Sequence, residues 1–370
     1  MRLPGVIGVV AALLVSAVPA RAASLPTDMQ ALVDAGAPGV VVLARSGTHS
    51  LRLAAGVADR AHGTPMRIGD RFRVGSVTKT FVAAVVLQLV GEGKLSLDDS
   101  VEKWVPGLVP RGDAITVREL LNHTSGLFDY LNDGDNTVLE PYLKGDLGHV
   151  WAPRAIVGVA TKHPPHFPPG GGWAYTNTGY IVLGLIVEAA TGDTLAAELR
   201  RRLFVPLGLT RTSLDASPRI AGRHAHGYYH FPHKPLIDVT GVSPSLAWAA
   251  GGIVSTVGDL AQFYRALLQG RVLSPDLLQA METTTSMGVA GEDYGLGLWE
   301  TRTLGFARTF RLSCADRAWG HDGDFPGYLT YAFNSADGQR QAIVAVNDDA
   351  LSKRAARAVS RVVGTAFCAA

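Results

Sequence analysis

The chain has 370 residues, 47% hydrophobic and only 18% charged, with 34 Lys plus Arg against 32 Asp plus Glu. That composition excludes intrinsic disorder, which needs low hydrophobicity and high net charge. A formal charge of +2 with no basic run offers no electrostatic footprint for nucleic acid.

Residues 1–22 combine Arg2, the apolar run from Val6 to Val18 and the ending Ala20-Arg21-Ala22. This is the layout of a secretory signal peptide cleaved near Ala22, and the run is shorter than the roughly 20 residues of a membrane span. No later stretch could span a bilayer, so the expected product is secreted and extracellular, with no stable membrane span. Export bears on Cys314 and Cys368, the only two cysteines. Outside the cytosol such a pair usually oxidises to a single bridge; two buried thiols are the alternative.

Val40 to Ala44 and Leu51 to Ala55 read as strands joined at Ser46-Gly47-Thr48, a hairpin signal. Ser76 to Val90 reads as a helix, apolar on nearly every side and therefore buried, stopped by Gly91 and Gly93. From about Val101 to Leu278, helical stretches (Thr116 to Leu121, Tyr180 to Ala190, Asp259 to Gln269) alternate with Gly/Pro-rich loops. The β pattern returns at Gly327 to Phe333 and Gln341 to Val346, joined by Asp337-Gly338, and Ser352 to Val363 closes as a helix. Strands at both ends of a helical middle predict an α/β (α+β) class. An antiparallel sheet flanked by helices would be built from 23–100 and 291–370. A mainly helical domain would occupy 101–290, with the active site in the cleft between the two.

Three short motifs carry chemistry. Ser76-Val77-Thr78-Lys79 puts a hydroxyl and an amine one turn apart on one helix face. A serine is a weak nucleophile without a base; burial and the positive helix start both favour an uncharged lysine. Tyr175-Thr176-Asn177 follows a Pro/Gly-rich loop, Pro168-Pro169-Gly170-Gly171-Gly172, that can present it at a cleft. A phenol near an amine can shuttle protons, and an Asn amide can grip a carbonyl. Gly320-His321-Asp322-Gly323-Asp324 stands directly before the strand from Gly327, its glycines leaving room for a substrate against the backbone. Any one of the three also fits an ordinary surface turn or helix pair; their order together is far more specific.

In that order the sequence resembles the serine β-lactamase and penicillin-binding-protein superfamily, on its class C side, where His-x-Gly can replace Lys-Thr-Gly. It is most similar to secreted D-alanyl-D-alanine carboxypeptidases, and the likeness covers nearly the whole chain after the leader. Ile115-Thr116-Val117-Arg118, Ser125-Gly126-Leu127, Tyr294-Gly295-Leu296-Gly297 and Thr330-Tyr331-Ala332-Phe333 add to it. Relatives also carry a bridge at positions matching Cys314 and Cys368. The resemblance implies an acyl-enzyme on Ser76, with Lys79, Tyr175 and His321 as the other catalytic residues. It implies an oxyanion hole from the N–H groups of Ser76 and Asp324, at the Gly323-Asp324 step. Asn177 would hold the substrate amide, Trp248 would wall the cleft, and Arg308 would bind a carboxylate. The implied partners are peptidoglycan stem peptides or related small peptides and esters, with β-lactams as covalent inhibitors. The chemistry needs no metal or organic cofactor.

One departure opens alternatives. Carboxypeptidase relatives have Thr where Asp322 and Asp324 stand. Each acid at roughly 5 Å would repel a terminal carboxylate by about 3 kcal/mol at an effective dielectric near 20. An esterase or β-lactamase-type hydrolase, a D-aminopeptidase or amidase that takes a free ammonium, and a slow-turnover penicillin-binding sensor are the other readings. The pairs His163/His166, His224/His226 and His230/His233 have metal-like spacing, and Asp133-Gly134-Asp135-Asn136 hints at calcium. All are read as solvated loops.

Overall fold

A computed structural model describes residues 20–230, 235–305 and 310–369. The leader up to residue 19, Arg308 and His233 lie outside the described residues. The first hairpin pairs β1 (Gly39–Ser46) with β2 (His49–Asp59) in antiparallel register, with Ser46 opposite His49 across the two-residue turn Gly47-Thr48. A short β3 (Thr64–Pro65) extends its outer edge.

The chain returns to this sheet only after residue 284. It adds β4 (Thr285–Val289), β5 (Glu292–Tyr294), β6 (Trp299–Thr301), β7 (Ala318–Phe325), β8 (Tyr328–Asn334) and β9 (Arg340–Val346). The strand order is β3-β2-β1-β9-β8-β7-β6-β5-β4, with antiparallel pairing throughout.

Strand alternation sorts two cores. Val40, Val42, Ala44, Val344 and Phe333 face a cluster with α1 (Ala20–Asp34) and the closing helix Lys353–Ala369. Val41, Leu43, Ala332, Ile343 and Ala345 face the other, larger cluster. There lie α2 (Thr78–Gly91), α3 (Asn177–Thr191) and α4 (Val257–Leu268). Among the described residues no single helix is long and apolar enough to cross a membrane.

Three elements differ from the sequence reading. Ala20–Asp34 forms a helix that the leader reading left unassigned. The last helix runs to Ala369, well past Val363. The His-x-Gly motif precedes the expected strand, β8, but also lies inside a strand of its own, β7, whose two acids and two glycines disguise its period-2 pattern. The cysteines are bonded, Cys314 to Cys368, with Cα atoms 5.5 Å apart. The bridge fastens the end of the last helix to the stretch leading into β7.

Closing a loop of 54 residues is worth about 4 kcal/mol in the chain-entropy description. Urea unfolding of the Cys314→Ser/Cys368→Ser double variant should show a loss of that order. A loss below about 1 kcal/mol would mean that packing alone holds the last helix on the sheet.

Candidate active site

Ser76 sits in a 3₁₀ turn, Gly75–Val77, that runs directly into α2. Every residue from Thr78 to Leu87 is buried, so Lys79, one turn on, has a helix interior around it and no exposed surface. Its Nζ has three polar neighbours: Asn177 Oδ1 at 2.7 Å, the Ala250 carbonyl at 2.9 Å and Ser76 Oγ at 3.1 Å. Two of these can only accept, and they match the two N–H bonds of a neutral amine. The nitrogen lone pair is then left for the Ser76 hydroxyl. Burial pushes the amine down to about 7, against the opposing pull of Asp129 and Asp322.

Asn177 opens α3, and its orientation is fixed from the far side. Its Nδ2 donates to both oxygens of Asp129, at 3.2 and 3.0 Å, which leaves Oδ1 facing the lysine. Asp129 is itself held by the Leu131 N–H and the Asn132 amide. Burial pushes this carboxyl up, while those donors, Lys79 and Asn177 oppose the rise.

The Tyr175 ring lies over the amine, with Lys79 Nζ 4.7 Å from its centre. Burial raises its phenol well above the ordinary range, with a hydrogen bond to Ser76 in opposition, so near neutral pH the group is a proton donor. His321 is fully buried beneath. Its Nδ1 faces the Asp322 carbonyl, so the ring proton sits there, and Nε2 accepts from the Tyr294 hydroxyl at 2.9 Å. His321 and Tyr175 lie with ring centres 6.3 Å apart.

Two glycines let the nucleophile and β7 meet backbone to backbone. A Cβ on Gly75, whose φ is +53°, would stand 2.6 Å from Asp324 N. A Cβ on Gly323 would stand 2.0 Å from Val74 O and 3.1 Å from Ser76 N. β6 pairs with β7 only through Gly320, so beyond it the strand edge beside Ser76 is not paired to β6.

A cleft of about 680 Å³ wraps this edge. Ser76, Tyr175, Asn177 and Tyr331 line it together with Asp322, Asp324 and Asp349. Asp324 is open to cleft water, yet its crowded setting and the Asp322 charge push its carboxyl up to about 7. Asp349 is pushed up to about 8 by burial and by Asp324.

The structure thus brings Ser76, Lys79, Tyr175, Asn177, His321, Gly323 and Asp324 into one neighbourhood. Trp248 is not in the cleft lining: its indole tip lies where a Cβ on Gly184 of α3 would stand, at 2.7 Å. Leu246, Ala247, Ala250 and Gly251 supply the wall from that segment instead. Arg308 falls outside the described residues. His163 and His166 pair with Asp135 and Asp133, at 2.6 and 2.7 Å, which accounts for that acidic turn. Sequence reasoning missed Asp129, Tyr294 and His123. The only hint was that Tyr294 and the segment after His123 lie in stretches already noted for resemblance.

Comparison with known proteins agrees with this geometry. The family described as Beta-lactamase matches residues 25–365. Penicillin-binding protein 4* of Bacillus subtilis is 28% identical over 84% of this chain and 68% of its own length. Esterase EstB of Burkholderia gladioli is 37% identical over 63% of this chain and 62% of its own. The crystal structure of a D-stereospecific amidohydrolase from Streptomyces sp. superposes with a TM-score of 0.82 at 36% identity, covering 94% of this chain and 99% of that one. The chain belongs to the β-lactamase family and shares its mixed α/β fold with penicillin-binding-protein-like serine hydrolases.

A lysine held neutral in the fold makes wild-type stability depend on pH. Its folded pKa lies near 7 against an ordinary 10.5, so between these values the unfolded chain binds the extra proton and stability rises with pH. The difference in unfolding free energy between wild type and Lys79→Met should shift in favour of wild type by ~1.4 kcal/mol per pH unit from 7.5 to 9.5. A flat difference would mean that Lys79 stays charged.

Proposed function

We propose that the chain is an exported serine amidohydrolase that works through an acyl-enzyme on Ser76. Its substrates would be amides, esters or short peptides whose reacting residue carries a free ammonium. The neutral Lys79 amine takes the Ser76 proton as Oγ attacks the carbonyl carbon. The N–H groups of Ser76 and Asp324 receive the oxyanion, each such donor being worth about 3–4 kcal/mol at the transition state. Tyr175 delivers a proton to the departing amine and recovers one from the Lys79 ammonium, so both return to their starting states, and Asn177, locked by Asp129, holds the substrate amide. Water then releases the acyl group by the reverse path. Export is supported by the layout of residues 1–22 and by the Cys314–Cys368 bridge.

One observation carries the substrate class. The described residues lining the cleft include three acids, Asp322, Asp324 and Asp349, and no lysine or arginine; the latter two acids are held near 7 and 8, so an approaching ammonium favours their ionisation. Such a wall attracts an ammonium and repels a terminal carboxylate. The likeness to the Streptomyces D-stereospecific amidohydrolase supports an amide as the bond cleaved.

A D-alanyl-D-alanine carboxypeptidase acting on peptidoglycan stems is the second reading, favoured by the likeness to penicillin-binding protein 4*. It keeps the Ser76 chemistry and β-lactam acylation but needs a cation at the acidic wall.

Steady-state assays on a D-amino-acid amide, its N-acetyl derivative, a D-Ala-D-Ala peptide and a short ester separate these readings. N-acetylation should lower kcat/KM at least tenfold, and Asp324→Asn should erase most of that preference. Faster cleavage of the D-Ala-D-Ala peptide than of the amide would establish the carboxypeptidase instead. A single-equivalent burst on every substrate would make the protein a penicillin sensor. Ser76→Ala should abolish labelling by a fluorescent penicillin; labelling retained on another residue would end the acyl-enzyme assignment. Activity should rise from pH 6 to 8, as Lys79 loses its proton and Asp324 ionises, both near 7.

A further inference from the structure

His123 is fully buried, 0% exposed, and belongs to none of the three motifs. It grips the chain on both sides of Tyr175. The Ala174 N–H donates to its backbone carbonyl at 3.1 Å, and the Thr176 N–H donates to its Nδ1 at 3.2 Å. Its ring lies against the Tyr175 ring, centre to centre 4.4 Å. The backbone takes φ +65° to do this, a left-handed conformation uncommon for a residue with a side chain.

Because Nδ1 accepts, the ring proton is on Nε2. That atom is buried without a hydrogen-bond partner, and the imidazole is surrounded by the rings of Tyr175, Tyr294, Tyr180 and Trp173, centre to centre 4.4 to 5.9 Å. A buried orphan donor and a left-handed non-glycine residue each cost the fold stability. Both costs at one residue are the mark of a functional constraint. Burial, with Lys79 and His321 nearby, holds the imidazole neutral, as the grip requires. A second ring proton would face the Thr176 N–H donor to donor.

We propose that His123 is a positioning residue for Tyr175: by fixing the backbone at 174 and 176 and the ring between them, it aims the phenol at the leaving group. The proposal rests on the reading of Tyr175 as proton donor to that group. General-acid assistance is typically worth 10²- to 10⁴-fold. It matters for an amine, which leaves only when protonated, and little for p-nitrophenolate, which leaves unaided.

The test uses an amide and a p-nitrophenyl ester of the same D-amino acid with wild type, Tyr175→Phe, His123→Phe and His123→Asn. Tyr175→Phe should lose amide turnover at least 100-fold and ester turnover less than 10-fold; equal losses would overturn the donor role of Tyr175 and this proposal with it. With the donor role upheld, His123→Phe, which keeps an aromatic ring but offers no acceptor, should show the same amide-selective loss in kcat. His123→Asn, whose Oδ1 can accept from Thr176 and which tolerates positive φ, should keep the wild-type amide-to-ester ratio within about threefold. Equal loss on both substrates in His123→Phe, or no loss, overturns the positioning role. Should His123→Phe fail to give a cooperative melt, His123→Asn decides alone: a collapsed ratio in a well-folded His123→Asn protein overturns the proposal, and a retained ratio supports it.

Discussion

An amine sealed from water, with two obligate acceptors and one hydroxyl around it, is the constraint on which the site depends. Moving an ammonium into a low-dielectric interior is costly unless a carboxylate touches it. Here Asp129 is kept one amide away behind Asn177. That distance leaves Lys79 poised near 7 rather than locked in a salt bridge. A direct Lys–Asp contact would raise the amine and remove its lone pair. The packing of α2 against α3, which places Asn177 beside Lys79, is therefore part of the chemistry and not only of the core.

The second constraint is backbone proximity. Gly75 and Gly323 remove the side chains that would hold the serine turn away from β7, so Ser76 and Asp324 present neighbouring N–H groups at one strand edge. A sheet is a rigid platform for such donors, and β7 is braced by β8 along its whole length while β6 covers only its first residues. The proposed substrate lies where the missing length of β6 would have paired. The acids at 322 and 324 sit two residues apart along the strand, and Asp322 Oδ1 comes within 3.7 Å of His321 Nδ1. One strand thus supplies the proposed oxyanion donor, a buried histidine and an acidic wall.

What the sequence disclosed was local. Ser76 and Lys79 are three apart on a helix whose burial follows from its apolar density, so their contact at 3.1 Å could be expected. The hairpin at Gly47-Thr48 and the β8–β9 pair were marked by turn residues and alternation. Asp129 and His123 were not legible, because their roles depend on contacts 48 and 53 residues away in the chain. Neither stands in a pattern that distinguishes it from a loop residue. Trp248 was misplaced because its segment borders the cleft, while the indole turns to fill the space above Gly184. β7 was hidden by its own functional residues, since Asp and Gly are poor strand formers.

The chemistry of the site turns on the charge of one nitrogen. Lysine labelled at Nζ and Cε, with the Lys79 signal assigned by comparison with Lys79→Arg, can be titrated by NMR in the intact protein. The account predicts a midpoint near 7, far below every exposed lysine. A Lys79 signal that titrates at 10 or above would contradict it, leaving Ser76 without its base.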